Sequence, residues 1–226
     1  IAITSLTQKQ FRILKKIFFL KKGYHLKTFH KMSRAYFDEH EYKENLFEQK
    51  NGLTFLICHS ATDSLAHEQS LEILRKLSMN APYDIHIRGF LSYSGGDESY
   101  RDNLESTLIQ KASDFSKSIS FEREFLDRES LSQRLLEADV ALFSCFRDEG
   151  VTFLRQFVSL GGLVCFNKFS INFSFFNSYC PNKTLSHEDL FSINLENILE
   201  KKRQKPEIKY NFLNYSEITD LSLFRI

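Results

Sequence analysis

The sequence runs to 226 residues, 42% of them hydrophobic, which is enough for a substantial buried core. Its 30 basic and 29 acidic residues leave a formal net charge of +1, so no field of one sign argues for nucleic acid or another polyanion, and binding has to be argued from local sites. No run reaches the roughly 18 to 20 apolar residues of a membrane-spanning helix and no signal peptide is visible, so a cytosolic chain is the expectation.

In chain order, the sequence opens on Ile1 rather than Met, and a preceding portion is expected. Residues 1–50 begin with the basic, aromatic stretch FRILKKIFFLKKGYHLKTFHKM and continue in the charged stretch SRAYFDEHEYKENLFEQKNG, which reads as a linker. Phe18, Phe19 and Leu20 lie between the pairs Lys15-Lys16 and Lys21-Lys22. That pattern suits a domain interface, with an anionic membrane surface as the alternative.

Five short apolar runs follow, at 53–58, 83–90, 118–121, 140–145 and 163–166, alternating with helix-length stretches at 64–77, 98–112, 128–137 and 149–160. Alternation of this kind predicts a parallel sheet built from βαβ units, an α/β Rossmann-like domain. The first run, LTFLIC, has no polar alternation and predicts a strand covered on both faces. Leu65, Leu71, Leu74 and Leu77 recur at helical spacing. The glycines of SLGGLVCF supply a helix stop before the next strand. A last helix is predicted over 187–202, followed by Lys205-Pro206 and an aromatic tail. The resulting division is 1–50, 51–202 and 203–226. Cys58, Cys145, Cys165 and Cys180 lack CxxC spacing, and three fall in apolar runs, so they read as reduced and structural rather than as metal ligands.

In an open parallel sheet, ligands bind beyond the carboxyl ends of the strands, where helix N-termini present unpaired N–H groups. Three segments occupy such positions: CHSATDS, FLSYSGGDESY and CFRDEG, with FNK ending the fifth run beside the last. Each also has an ordinary explanation. Asp63 and Ser64 fit N-caps, Gly95-Gly96-Asp97 fits a turn, and Asp148 or Glu149 fits a helix dipole. Together they bring hydroxyls, amides and the cations Arg147 and Lys168 to one sheet edge, which suits a phosphate-bearing ligand. Neither GxGxxG nor GxxxxGK[ST] occurs, against a dinucleotide dehydrogenase or P-loop reading.

These turns resemble the TDP-N-acetylfucosamine:lipid II N-acetylfucosaminyltransferases, also labelled 4-α-L-fucosyltransferases, of enterobacterial common antigen assembly. ICHSATDSLAH resembles a family segment V-G-N-S-x-x-x-S-N-x-H at Ser60, Ser64 and His67. FLSYSGGDESY keeps Leu91, Ser92, Tyr93 and Tyr100 of a second motif, and Arg147, Gly150, Asn167 and Lys168 fit a third; Asn214-Tyr215 resembles a C-terminal motif. The family's Gly-Asn before Ser60 is Cys58-His59 here, its Asn before His67 is displaced by Leu65-Ala66, and its Pro before Leu91 is Phe90. The resemblance implies the C-terminal, donor-binding domain of a GT-B glycosyltransferase. It also implies a TDP-sugar donor, a lipid-linked saccharide acceptor, contact with the inner face of the plasma membrane, no nucleic acid, and neither cofactor nor bound metal.

On that reading Arg147 and Lys168 meet the diphosphate, with Ser60, Thr62 and the adjacent amides as donors. Glu149 accepts from the deoxyribose hydroxyl, and Tyr93 stacks on a base or sugar. His59, His67, Ser92 and Gly150 complete the candidate set. The general base is expected outside this chain. A second resemblance competes: YDIHIRGFLSYSGGDESYRDNLESTL is similar to the first box of TIR domains, which would imply an NAD-hydrolysing or signalling module. A complete βα unit at 53–77 precedes the box that ought to open such a domain. A noncatalytic α/β module is the remaining alternative.

Overall fold

The computed structural model describes residues 51–92, 98–146 and 149–208, together with Ala2–Ser5, Arg12, Lys16 and Tyr24–Lys27. Strands β1 (Ala2–Ser5) and β2 (Tyr24–Lys27) pair in parallel as a two-stranded sheet. Most of the basic aromatic stretch, the linker after residue 27 and the tail beyond 208, with Asn214-Tyr215, lie outside the described residues.

The main sheet has six parallel strands: β3 (Gly52–Leu56), β4 (Asp84–Phe90), β5 (Ser118–Glu122), β6 (Val140–Phe143), β7 (Leu163–Phe166) and β8 (Thr184–Ser186). Their order across the sheet is β5-β4-β3-β6-β7-β8. The chain starts in the middle, runs to one edge, then crosses to β6 and runs to the other. This is the doubly wound order, and its reversal between β3 and β6 opens a crevice at their carboxyl ends. The helices are α1 (His67–Ser78), α2 (Glu98–Ala112), α3 (Arg128–Leu136), α4 (Val151–Ser159), α5 (Ile171–Tyr179), α6 (His187–Ser192) and α7 (Leu195–Arg203).

Apolar continuity explains the central strands. Leu53, Phe55, Leu56, Ile57 and the four residues of β6 are all essentially inaccessible, as is all of β7. Leu65, Leu71, Leu74 and Leu77 are buried, as their spacing requires. The expected helix over 64–77 is interrupted. Asp63–Leu65 forms a 3₁₀ turn, Ala66 sits at φ 54°, and α1 starts only at His67. Helix α4 ends in a Schellman motif: Gly161 lies at φ 95° and donates to Val158 O at 2.9 Å, while Gly162 donates to Phe157 O at 3.0 Å.

Three features depart from the expected elements. The helix expected over 187–202 is two helices, because Asn194 adopts extended backbone and its side chain accepts from Asn197 N, capping α7 afresh. Strand β8 and helix α5 were not expected at all. All four cysteines are buried free thiols, and burial pushes Cys58 up to about 12.

The amino edge of the sheet is fastened by two buried lysines. Lys202 of α7 donates to Ala138 O at 2.8 Å and to Asp139 Oδ1 at 2.6 Å, while Asp139 Oδ2 accepts from Thr54 N at 2.8 Å. Lys183 is fully buried and donates to the carbonyls of Gly161, Lys201 and Lys202 at 3.0, 2.6 and 2.9 Å. Two of its N–H groups thus take the last carbonyls of α7, and the third holds Gly161 in the turn before β7. Burial lowers its pKa to about 7.

Candidate functional site

The exit from β3 is a braced loop. The ring of His67, the first residue of α1, reaches back to Ser60 O at 2.9 Å through Nε2. A carbonyl only accepts, so Nε2 carries the proton in this contact. Burial lowers the His67 pKa and keeps the ring neutral. Inside the loop the hydroxyls of Ser60 and Thr62 lie 2.9 Å apart. Ser70 of α1 ties the loop's helix to the neighbouring strand, donating to Leu142 O at 3.2 Å and contacting Ser144 Oγ at 3.0 Å.

The exit from β6 is the charged turn. Two groups at the start of α5 hold it from outside: Ile171 N donates to Phe146 O at 3.2 Å, and Asn172 Nδ2 donates to Glu149 O at 2.9 Å. Arg147 and Asp148 fall between these fixed carbonyls in sequence and lie outside the described residues. The Glu149 side chain crosses to the β3 loop and accepts from Ser64 Oγ at 2.9 Å. Helix α4 does not begin at Glu149. Its N-cap is Gly150, at φ 66°, and no side chain caps the helix.

His59 fills the floor between the two exits. Its ring stacks on Phe143 with centroids 5.7 Å apart and leans on Phe153 at 5.6 Å. Gly150 passes so close that a Cβ there would lie 2.9 Å from His59 Nδ1 and 3.1 Å from Phe143 Cε2. His59 Nδ1 is buried with no hydrogen-bond partner. Burial lowers its pKa to about 4, and nearby Glu149 only partly offsets this. The ring is neutral near pH 7 and serves as packing, with Nδ1 unsatisfied.

The structure therefore brings His59, Ser60, Thr62, Glu149 and Gly150 together at the β3–β6 crevice, with His67 directly behind. Ser92 is half-buried at the end of neighbouring β4, and Tyr93, like Arg147, lies outside the described residues. Lys168 is at the same sheet edge, but its ammonium pairs with Glu188 of α6 at 3.2 Å and lies 5.4 Å from the Phe169 ring centroid, towards β8. A cavity of about 270 Å³ lies elsewhere, between β4, β5 and α3. Its arginines are already matched: Arg88 pairs with Glu137, and Arg134 with Glu122 and Glu137.

No protein-family model matches the chain, and no curated protein matches it in sequence. Solved structures do match. A trehalose-6-phosphate structure from E. coli bound with UDP-2-fluoro glucose aligns over 88% of this chain and 51% of its own, at TM-score 0.57 and 11% identity. A UDP-forming trehalose-phosphate synthase from Burkholderia xenovorans aligns over 88% and 52%, again at 0.57 and 11%. One from Burkholderia vietnamiensis aligns over 88% and 50%, at 0.56 and 9%.

The fold is that of the GT-B glycosyltransferases.

The chain spans only about half of these structures, 50 to 52% of their length, and 58% of a further trehalose-6-phosphate synthase. In this GT-B frame the crevice between β3 and β6 is the switch point where such a sheet takes its ligand. Asn172 was not among the residues read from the sequence. It is fully buried, holds the turn through Nδ2, and leaves Oδ1 without a partner. Its only sequence signal was a polar residue two places after the N-cap Ser170, in a segment not recognised as a helix.

Proposed function

We propose that this chain is the donor-binding part of a GT-B glycosyltransferase that holds a nucleoside diphosphate sugar at the β3–β6 crevice. The observation that carries the reading is the meeting, at a doubly wound switch point, of the Ser60–Thr62 hydroxyl pair, the Ser64–Glu149 bridge and the uncapped amino end of α4. Unpaired N–H groups and the helix dipole favour an anion there. The GT-B likeness supports a nucleotide-sugar donor over a nicotinamide one.

As the sugar leaves, negative charge grows on the diphosphate while the anomeric carbon becomes cationic. Helix N–H groups already in place stabilise that charge without reorganisation. Arg147 adds its guanidinium, and Ser60 and Thr62 donate through hydroxyls. Lys168 reaches the diphosphate only by leaving Glu188. Glu149 accepts from the nucleoside sugar's hydroxyl by exchanging its bond to Ser64. The finer reading, from the motif resemblance, is a TDP-linked amino-deoxy sugar such as N-acetylfucosamine and a lipid-linked saccharide acceptor at the inner membrane surface. Residues 51–202 are then the donor domain, 1–50 the end of a front domain with its linker, and 203–226 a tail returning towards it. The chain alone binds donor without transferring it.

A thermal-shift and calorimetry screen tests this. UDP or TDP should stabilise the chain, while NAD, ADP-ribose and magnesium-free ATP do not. Binding or cleavage of NAD with no response to pyrimidine nucleotides would transfer the case to a TIR-like module. No response to any nucleotide at millimolar concentration would favour a noncatalytic one.

A further inference from the structure

We propose that Asn172 is a positioning residue for the donor diphosphate, fixing the plane of the Glu149–Gly150 peptide and thereby the direction of the Gly150 N–H at the N-cap of α4. The inference rests on the function proposed above.

A trans peptide is planar, with its C=O and N–H pointing in opposite directions. Asn172 Nδ2 holds the Glu149 carbonyl at 2.9 Å, so the Gly150 N–H points away from α5. Among the described residues this N–H meets no acceptor, and no side chain caps α4. The backbone does not select this plane by itself. Gly150 lies at φ 66°, and glycine populates positive and negative φ about equally, so the peptide could turn over at little cost. Turned over, it would present a carbonyl where the diphosphate needs a donor.

The state of Asn172 supports a positioning role over simple packing. The residue is fully buried and its Oδ1 has no partner, so an apolar side chain would serve packing better. What the asparagine supplies is the N–H to Glu149 O at 2.9 Å, beside a longer contact from Nδ2 to Cys145 Sγ at 3.9 Å. On the other side of Gly150, His59 packs so close that an added Cβ would lie 2.9 Å from its Nδ1.

Calorimetry on the 226-residue chain with UDP and TDP, each set against its free nucleoside, provides the test. Asn172→Ala should weaken diphosphate binding about ten-fold or more, the loss of one hydrogen bond to a charged group, and leave nucleoside binding unchanged. Asn172→Asp separates positioning from stability. Its ionised carboxylate repels the Glu149 carbonyl and attracts the Gly150 N–H, whereas its protonated form can donate to that carbonyl as the asparagine does. Diphosphate affinity relative to wild type, measured at each pH, should therefore be lowest near pH 8 and recover as pH falls. Wild-type affinity in folded Asn172→Ala, or a deficit in Asn172→Asp that ignores pH, would overturn the inference while leaving the proposed function intact. A wild-type chain that binds neither diphosphate overturns both.

Discussion

Replacing Gly150 by alanine probes the tightest point of the crevice. Two costs can be worked from the geometry. At φ 66° and ψ 17° a side chain meets the left-handed penalty, about 1–2 kcal/mol for a non-glycine residue. The new methyl also lies 2.9 Å from His59 Nδ1, 3.0 Å from its Cε1 and 3.1 Å from Phe143 Cε2. Those atoms belong to rings stacked on one another, so relief requires moving a stack, and overpacking of that kind costs about 1–3 kcal/mol. Loss of glycine's freedom in the unfolded chain returns about 0.4–1 kcal/mol. The net expectation is a destabilisation of about 1–4.6 kcal/mol, read as a shift in urea midpoint at constant slope. Adding His59→Ala should remove the overpacking part and leave the backbone part, so the double-mutant cycle should show coupling of at least about 1 kcal/mol. A single-mutant loss under about 0.5 kcal/mol, or strict additivity, would refute this account of why glycine stands there.

Lys183 makes stability depend on alkaline pH. Its folded pKa, about 7, lies below the ordinary 10.5, so the unfolded chain binds more protons between those values and stability rises with pH across that window. Between pH 7 and 9 the rise should approach about 2–3 kcal/mol, and Lys183→Met should flatten it; parallel profiles for the two proteins would refute the assignment. His59 acts similarly in acid. With its pKa lowered from 6.5 to about 4, stability should fall as pH drops through that interval, and His59→Phe should lessen the fall in thermal melts between pH 6.5 and 4. At the amino edge, Lys202→Met should cost about 3–5 kcal/mol by stranding buried Asp139, whereas Asp139→Leu combined with Lys202→Met should cost clearly less than the sum of the single changes in denaturant titrations.

What the sequence disclosed follows from how each element announces itself. Strands β3, β6 and β7 are buried on both faces and appear as unbroken apolar runs, and α2 was bounded at both ends as observed. Strand β8 is only Thr184–Ser186, too short and too polar for any run to form. Helix α5, INFSFFNSY, has aromatic, serine and asparagine residues of middling helix propensity and no clear polar face. The Asn194 break was readable as an N-cap, yet it lies between two stretches that each look helical. The described parts of the loops after β3 and β6 emerge at the carboxyl ends of those strands, where sheet topology dictates that they must. Their internal ties were not legible: nothing in the order of residues shows that Ser64 faces Glu149, or that Lys183 and Lys202 turn inward when lysine ordinarily faces water.

The bracketing of the β6 turn by α5 has a further consequence. Phe146 O and Glu149 O are each held by a neighbour in α5, one through a backbone amide and one through a buried asparagine. Arg147 and Asp148 stand between these two carbonyls in sequence, so exchanging them for residues of other charge or reach should leave both holds in place. On the function proposed above, altered nucleotide preference should be obtainable from a two-residue library at these positions, with melting temperatures that barely vary across its members.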